Sequence, residues 1–269
     1  MLTPCFSTLG CVDYSLDEIL ALAARFGIPA LEMRGMEGSV KPTEIPALAP
    51  DRIADTAARL AAAVRPAVYG SSISLTDAAR DAAKLTAGLG EIDIAAALGF
   101  PAVRVFGNRY IDGDEAASVS AAAEVLRRLC AHAAPKGIEI LLEVHGDFVR
   151  AETFAALFAA LSDMPNFGII WDVAHTDAPY GDNWLPFWQT VAPYTRHIHI
   201  KDHRRATPDA PKTLCLPGEG DIPLVPILRQ LQADGYDGCV SLEWERKWHP
   251  DLPPIEDALD RFCTILAAL

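Results

Sequence analysis

The chain has 269 residues, 51% of them hydrophobic, which is ample for one large α/β core or two small ones. A formal net charge of -13 at pH 7 argues against a partner gripped through its phosphate backbone, since such binding needs Lys and Arg to replace counterions, so a small-molecule partner is expected and no nucleic acid. No apolar run reaches the roughly 20 residues of a membrane span, and the start "MLTPCFSTLG" lacks a signal peptide's basic and apolar regions, so a cytoplasmic protein without a membrane partner is expected.

In chain order, the first strand is predicted at "LTPCFS" (2 to 7), followed by the helix "SLDEILALAARFG", which opens on Ser15 and closes on Gly27. Strands follow at "ALEMR" (30 to 34), "VRPAVYG" (64 to 70) and "AVRVFG" (102 to 107). One long helix, "TDAARDAAKLTAGLGEIDIAAALG", separates the last two and ends on Gly99, and "DEAASVSAAAEVLRRLCAHAAPKG" ends on Gly137. The second half supplies strands "IEILLEV" (138 to 144), "FGIIWDV" (167 to 173), "RHIHIKD" (196 to 202) and "GCVSLEW" (238 to 244), and "PIEDALDRFCTILAAL" is the closing helix. Eight strands alternate with helical segments and no Pro/Gly/Ser linker divides them, so the expectation is a single-domain (β/α)8 TIM barrel over residues 1–269. An open doubly wound sheet is the rival, but there is no GxGxxG after the first strand and no Walker sequence. Six cysteines without a CxxC pair read as reduced, buried small hydrophobes.

In a TIM barrel the chemistry sits where strands end, so unusual polar residues are expected to cluster there. They do, with "LLEVHGDF" carrying Glu143, His145 and Asp147, "IIWDVAHT" carrying Asp172 and His175, "HIHIKD" carrying His199 and Lys201, and "SLEWERKWHP" carrying Glu243, Glu245 and His249. Five of the seven histidines, His145, His175, His197, His199 and His249, fall on or just after these ends. Carboxylates converging in a shared apolar space are destabilised unless protonated or neutralised, and a divalent cation neutralises them. Three carboxylates and one imidazole form a mostly hard-oxygen set, so Glu143, Asp172, His199 and Glu243 are assigned to one Mn2+, Mg2+ or Co2+ ion, with Zn2+ admissible. His197, deeper in its strand, reads as a hydrogen-bonded core histidine.

These strand ends resemble those of the xylose isomerase-like TIM barrel family of sugar and sugar-phosphate isomerases, epimerases and dehydratases, which also includes an endonuclease IV branch. The resemblance implies a cation held by Glu, Asp, His and Glu, matching Glu143, Asp172, His199 and Glu243 in order. It also implies that His175 contacts a substrate oxygen and that Arg205 is placed like the substrate-binding Arg of ketose 3-epimerases. Those epimerases carry a further Glu six residues after the first metal Glu, where this chain has Val149. The endonuclease IV branch needs histidine ligands on early strands, and strands two to four here contain none.

The expected chemistry is proton abstraction beside the carbonyl of a sugar, sugar phosphate or polyol, through an enediolate, with Glu143 and Glu243 as the proton carriers. Lys201 is expected at the rim, where its charge can stabilise an enediolate oxygen. His145 and, in "FGNRY", Asn108 and Arg109 are further candidates for substrate binding. A metal-dependent dehydratase resembling inosose dehydratase is the alternative, an endonuclease IV-like nuclease ranks below it, and assembly as a homo-oligomer stays open.

Overall fold

In the computed structural model, which describes residues 2–208 and 210–269, eight parallel strands close into a barrel in the order β1 (Thr3–Ser7), β10 (Cys239–Leu242), β7 (Thr195–Ile200), β6 (Phe167–Asp172), β5 (Glu139–Glu143), β4 (Ala102–Phe106), β3 (Arg65–Ser74) and β2 (Ala30–Met33), the expected (β/α)8 architecture. The chain forms two compact units, Met1–Ala67 with His197–Leu269, and Val68–Arg196. The boundaries fall inside two strands, β3 (Arg65–Ser74) and β7 (Thr195–Ile200).

In the first unit β1 (Thr3–Ser7) pairs with β2 (Ala30–Met33) and with β10 (Cys239–Leu242), which in turn pairs with β7. Between β1 and β2 runs α1 (Leu16–Phe26), whose start and stop are both written locally. Ser15 and Glu18 form a capping box that satisfies two orphan N–H groups, and Gly27 ends the helix at φ 63°, a left-handed conformation that glycine adopts without penalty. Leu16, Ile19, Leu22 and Ala23 recur at helical spacing and are the residues α1 buries. The helix α2 (Ile53–Ala63) leads into β3, and α10 (Ile255–Ala267) closes the chain.

The second unit follows β3 with two helices, α3 (Leu75–Arg80) and α4 (Ala82–Ala97), where the sequence predicts one. Asp81 makes the break: its backbone is extended and its carboxylate accepts from the N–H groups of Ala83 and Lys84, capping α4. After it come β4 (Ala102–Phe106), α5 (Glu115–Ala133), β5 (Glu139–Glu143), α6 (Ala151–Ala160) and β6 (Phe167–Asp172), then the short α7 (Asp177–Tyr180) and α8 (Leu185–Val191). Trp171 and Trp188 stack with ring centroids 5.2 Å apart and are buried, so both are packing residues.

One element absent from the sequence reading follows β7. It is a small antiparallel pair, β8 (Asp202–Arg204) with β9 (Thr213–Cys215), and α9 (Leu224–Ala233) comes after it. Buried Asp202 organises this segment by accepting from the N–H groups of His203, Gly218, Gly220 and Ile222. Gly220 has no room for a side chain, since a Cβ there would fall 2.2 Å from the Asp202 carboxylate.

Candidate metal centre

In the first unit the site begins with strand alternation. His197 and His199 point to one side of β7, and the β10 register places Ser241 opposite His199. All three side chains meet Glu32 of β2. Its Oε2 accepts from His197 Nε2 at 3.0 Å, His199 Nε2 at 2.9 Å and Ser241 Oγ at 3.0 Å. Burial alone would raise the Glu32 carboxyl, but the imidazoles of His199 and His197 hold it well below the usual carboxylate range. An ionised carboxylate only accepts, so the proton of His199 sits on Nε2. Its Nδ1 then faces Oε2 of Glu243 at 3.6 Å. Two lone-pair-bearing atoms at that separation are reconciled by a cation or a proton between them.

Glu243 is buried and accepts from Lys201 Nζ at 2.7 Å, and the same ammonium also bonds Glu245. Lys201 is only 3% exposed, which corrects the expected rim position: its stem is packed and its charge is held between two carboxylates. His197 is the core histidine anticipated from its depth in the strand. Arg205 is half-buried, and its backbone N–H donates to Asp221 at 2.7 Å. Of the outlying acids, Glu219 pairs with Arg261 at 3.3 Å and Glu245 lies 3.7 Å from His249.

In the second unit β5 ends on Glu143, fully buried, and Arg104 Nε of β4 donates to its Oε2 at 2.6 Å. Arg104 is fixed in turn by Nη1 donating to the Ser71 carbonyl at 2.9 Å. β6 ends on Asp172, whose Oδ1 accepts from the N–H groups of Ala174 at 2.8 Å and His175 at 3.2 Å. His175 Nε2 lies 3.8 Å from Asp172 Oδ2, and the His145 and His175 rings pack with centroids 4.4 Å apart. Both histidines are half-buried.

Beside them the loop after β4 is built by backbone constraints. Asn108 adopts φ 69°, its carbonyl accepts from Asp147 N–H at 3.0 Å, and the Asp147 carboxylate accepts from Tyr110 N–H at 2.7 Å. Asp147 is therefore a loop cap, whereas Arg109 is exposed. Glu32 and Arg104 were not singled out from the sequence, although each carried a signal: one charged residue inside an otherwise apolar strand, in "ALEM" and "AVRVF".

In the first unit ligand atoms of Glu32, His197 and His199 lie within 4.8 Å of one another, and in the second β5 and β6 end on the buried Glu143 and Asp172. The facing Nδ1 and Oε2 of His199 and Glu243 are a natural pair of ligands for a hard or borderline divalent cation.

A model of the family described as xylose isomerase-like TIM barrel matches residues 20–265. The chain is 33% identical over 110 residues to the C-glycoside deglycosidase alpha subunit of Arthrobacter globiformis, and this match spans 40% of the chain and 26% of that relative. Three solved structures resemble it throughout. IolI protein with a bound zinc atom aligns at TM-score 0.79 and 18% identity, covering 99% of this chain and 97% of the other. The probable 3-DHS dehydratase AsbF of Bacillus anthracis aligns at TM-score 0.76 and 17% identity over 99% of both chains. The 3-keto-D-glucoside 4-epimerase YcjR of E. coli aligns at 0.75 and 16% identity, over 99% and 100%.

Proposed function

Since the chain belongs to the xylose isomerase-like TIM barrel family, we propose that it is a divalent-metal-dependent isomerase or epimerase of a sugar, sugar phosphate or polyol. The observation that carries this reading is the buried pair of His199 Nδ1 and Glu243 Oε2, which face each other at 3.6 Å, and the buried strand-end carboxylates Glu143 and Asp172 complete the ligand set in this reading. When bound, the cation supplies a Lewis acid that lowers the cost of negative charge developing on a substrate oxygen. Manganese, magnesium, cobalt and zinc all suit the donor set, and the likeness to a zinc-containing structure supports the last.

The chain's own residues handle the proton. Glu143 and Glu243 remove it from the carbon beside the carbonyl and return it, to the other face for epimerisation or to the neighbouring carbon for isomerisation. Lys201 lies between Glu243 and Glu245, so it keeps a carboxylate partner when Glu243 takes up the proton. His145, His175, Asn108 and Arg205 bind substrate oxygens in this reading, supported by the half-buried positions of His145, His175 and Arg205. Six free cysteines are in line with the reducing cytoplasmic setting expected from the sequence.

A dehydratase reading keeps the same proton removal and adds departure of a β-hydroxyl as water, and the likeness to the probable dehydratase supports holding it as the second reading. Metal-loaded protein incubated with keto-sugars and keto-polyols in heavy water separates the two. Deuterium beside the carbonyl of an isomeric product supports the first reading, and an unsaturated product lacking one water supports the second. An isomeric product that carries no deuterium, formed while the site is open to solvent, overturns proton transfer.

A further inference from the structure

We propose that Glu32 is a positioning residue for the metal centre, setting the tautomer of His199 so that Nδ1 presents its lone pair to the cation. The inference rests on the metal-dependent reading above. Glu32 is 1% exposed and its Oε2 lies 2.9 Å from His199 Nε2, so the imidazole has a fixed partner behind the ring. A carboxylate can only accept, which places the His199 proton on Nε2 and leaves Nδ1 unprotonated on the side of Glu243, 3.6 Å away. Without Glu32 the ring is free to carry its proton on Nδ1, where it would block coordination.

Two further donors show that Glu32 is itself held. His197 Nε2 and Ser241 Oγ, each at 3.0 Å, bond the same oxygen, so the carboxylate cannot turn without breaking three bonds from three side chains on two strands. This arrangement accounts for His197 as well: it belongs to the support beneath the centre. It also accounts for an acid in the middle of the short, fully buried strand β2. A carboxylate behind a ligating imidazole orients the ring and raises its basicity, and loss of such a partner lowers metal affinity by about 10–100-fold.

The test compares wild type, Glu32→Gln and Glu32→Ala by calorimetric titration with Zn2+, together with nitrogen-15 spectra of histidine-labelled, Zn2+-loaded protein in which a His199→Asn variant identifies the His199 signals. Wild type is expected to carry the His199 proton on Nε2. Zn2+ affinity is expected to fall about 10–100-fold in Glu32→Ala, and less in Glu32→Gln, whose amide oxygen still accepts from one imidazole. A proton on Nδ1 of His199 in loaded wild type overturns the proposal even where neither variant folds. So does unchanged affinity in a folded Glu32→Ala. Wild type that takes up no Zn2+, Mn2+, Mg2+ or Co2+ removes the centre itself, a failure distinct from wild type and Glu32→Ala binding equally well.

Discussion

Arg104 and Glu143 form a buried ion pair, with Nε of the guanidinium donating to Oε2 across 2.6 Å and neither side chain more than 10% exposed. Removing the guanidinium takes a directly bonded counter-charge from a carboxylate in a desolvated place. Arg104→Met is therefore expected to destabilise the fold by about 3–5 kcal/mol, read as a shift in urea midpoint at constant slope. A loss below about 1 kcal/mol would place the pair among the weak, solvent-screened ones.

Two glycines give opposite expectations from the same substitution. A Cβ at Gly107 would lie 2.1 Å from the ring of Phe148, so Gly107→Ala must move a buried aromatic and is expected to cost about 1–3 kcal/mol or more. Gly90 sits inside α4 with nothing within 4 Å of its would-be Cβ, and Gly90→Ala is expected to stabilise by about 0.5–1 kcal/mol. Parallel denaturant curves of the two variants check the pair, and equal shifts would contradict the geometry.

The thiol of Cys239 is drawn down to about 5, first by the hydrogen bond from Cys5 and then by His197 and Arg65, whose Nη2 lies 2.9 Å from the sulfur. An unfolded chain has a thiol near about 8.5. An acid whose folded value is depressed stabilises the native state fully above its unfolded value and loses that contribution as pH falls through the folded one. The stability of wild type relative to Cys239→Ser should therefore rise from about pH 5 to about pH 8.5 and then level off. A gap that stays constant across that window would show that Cys239 is an ordinary thiol.

The eight strands were legible because short apolar runs bounded by Gly and Pro leave few alternatives, and α1 because Ser15, Glu18 and Gly27 carry its ends in local chemistry. The break at Asp81 was less visible, since an Asp inside an Ala-rich helical pattern is as compatible with an exposed helix position as with a cap. Glu143, Asp172, His199 and Glu243 stood out because each lies at or beside the end of a largely apolar strand. Glu32 and Arg104 lie within their strands, and what each does depends on which strand lies beside it, a fact of register and not of local pattern. Lys201 was misplaced for a related reason: alternation shows its side of the strand but not the carboxylates waiting there.

In the proposed reading Glu143, Asp172, His199 and Glu243 hold one divalent cation. Elemental analysis of purified wild type and of Asp172→Asn, after each is stripped with chelator and reloaded from an equimolar mixture of Mn2+, Mg2+, Co2+ and Zn2+, tests it most directly. Close to one metal ion per wild-type chain is expected, with a large loss in the variant, whose amide carries no charge to the site. Wild type that stays metal-free after reloading, or a folded Asp172→Asn that retains the full complement, would contradict it.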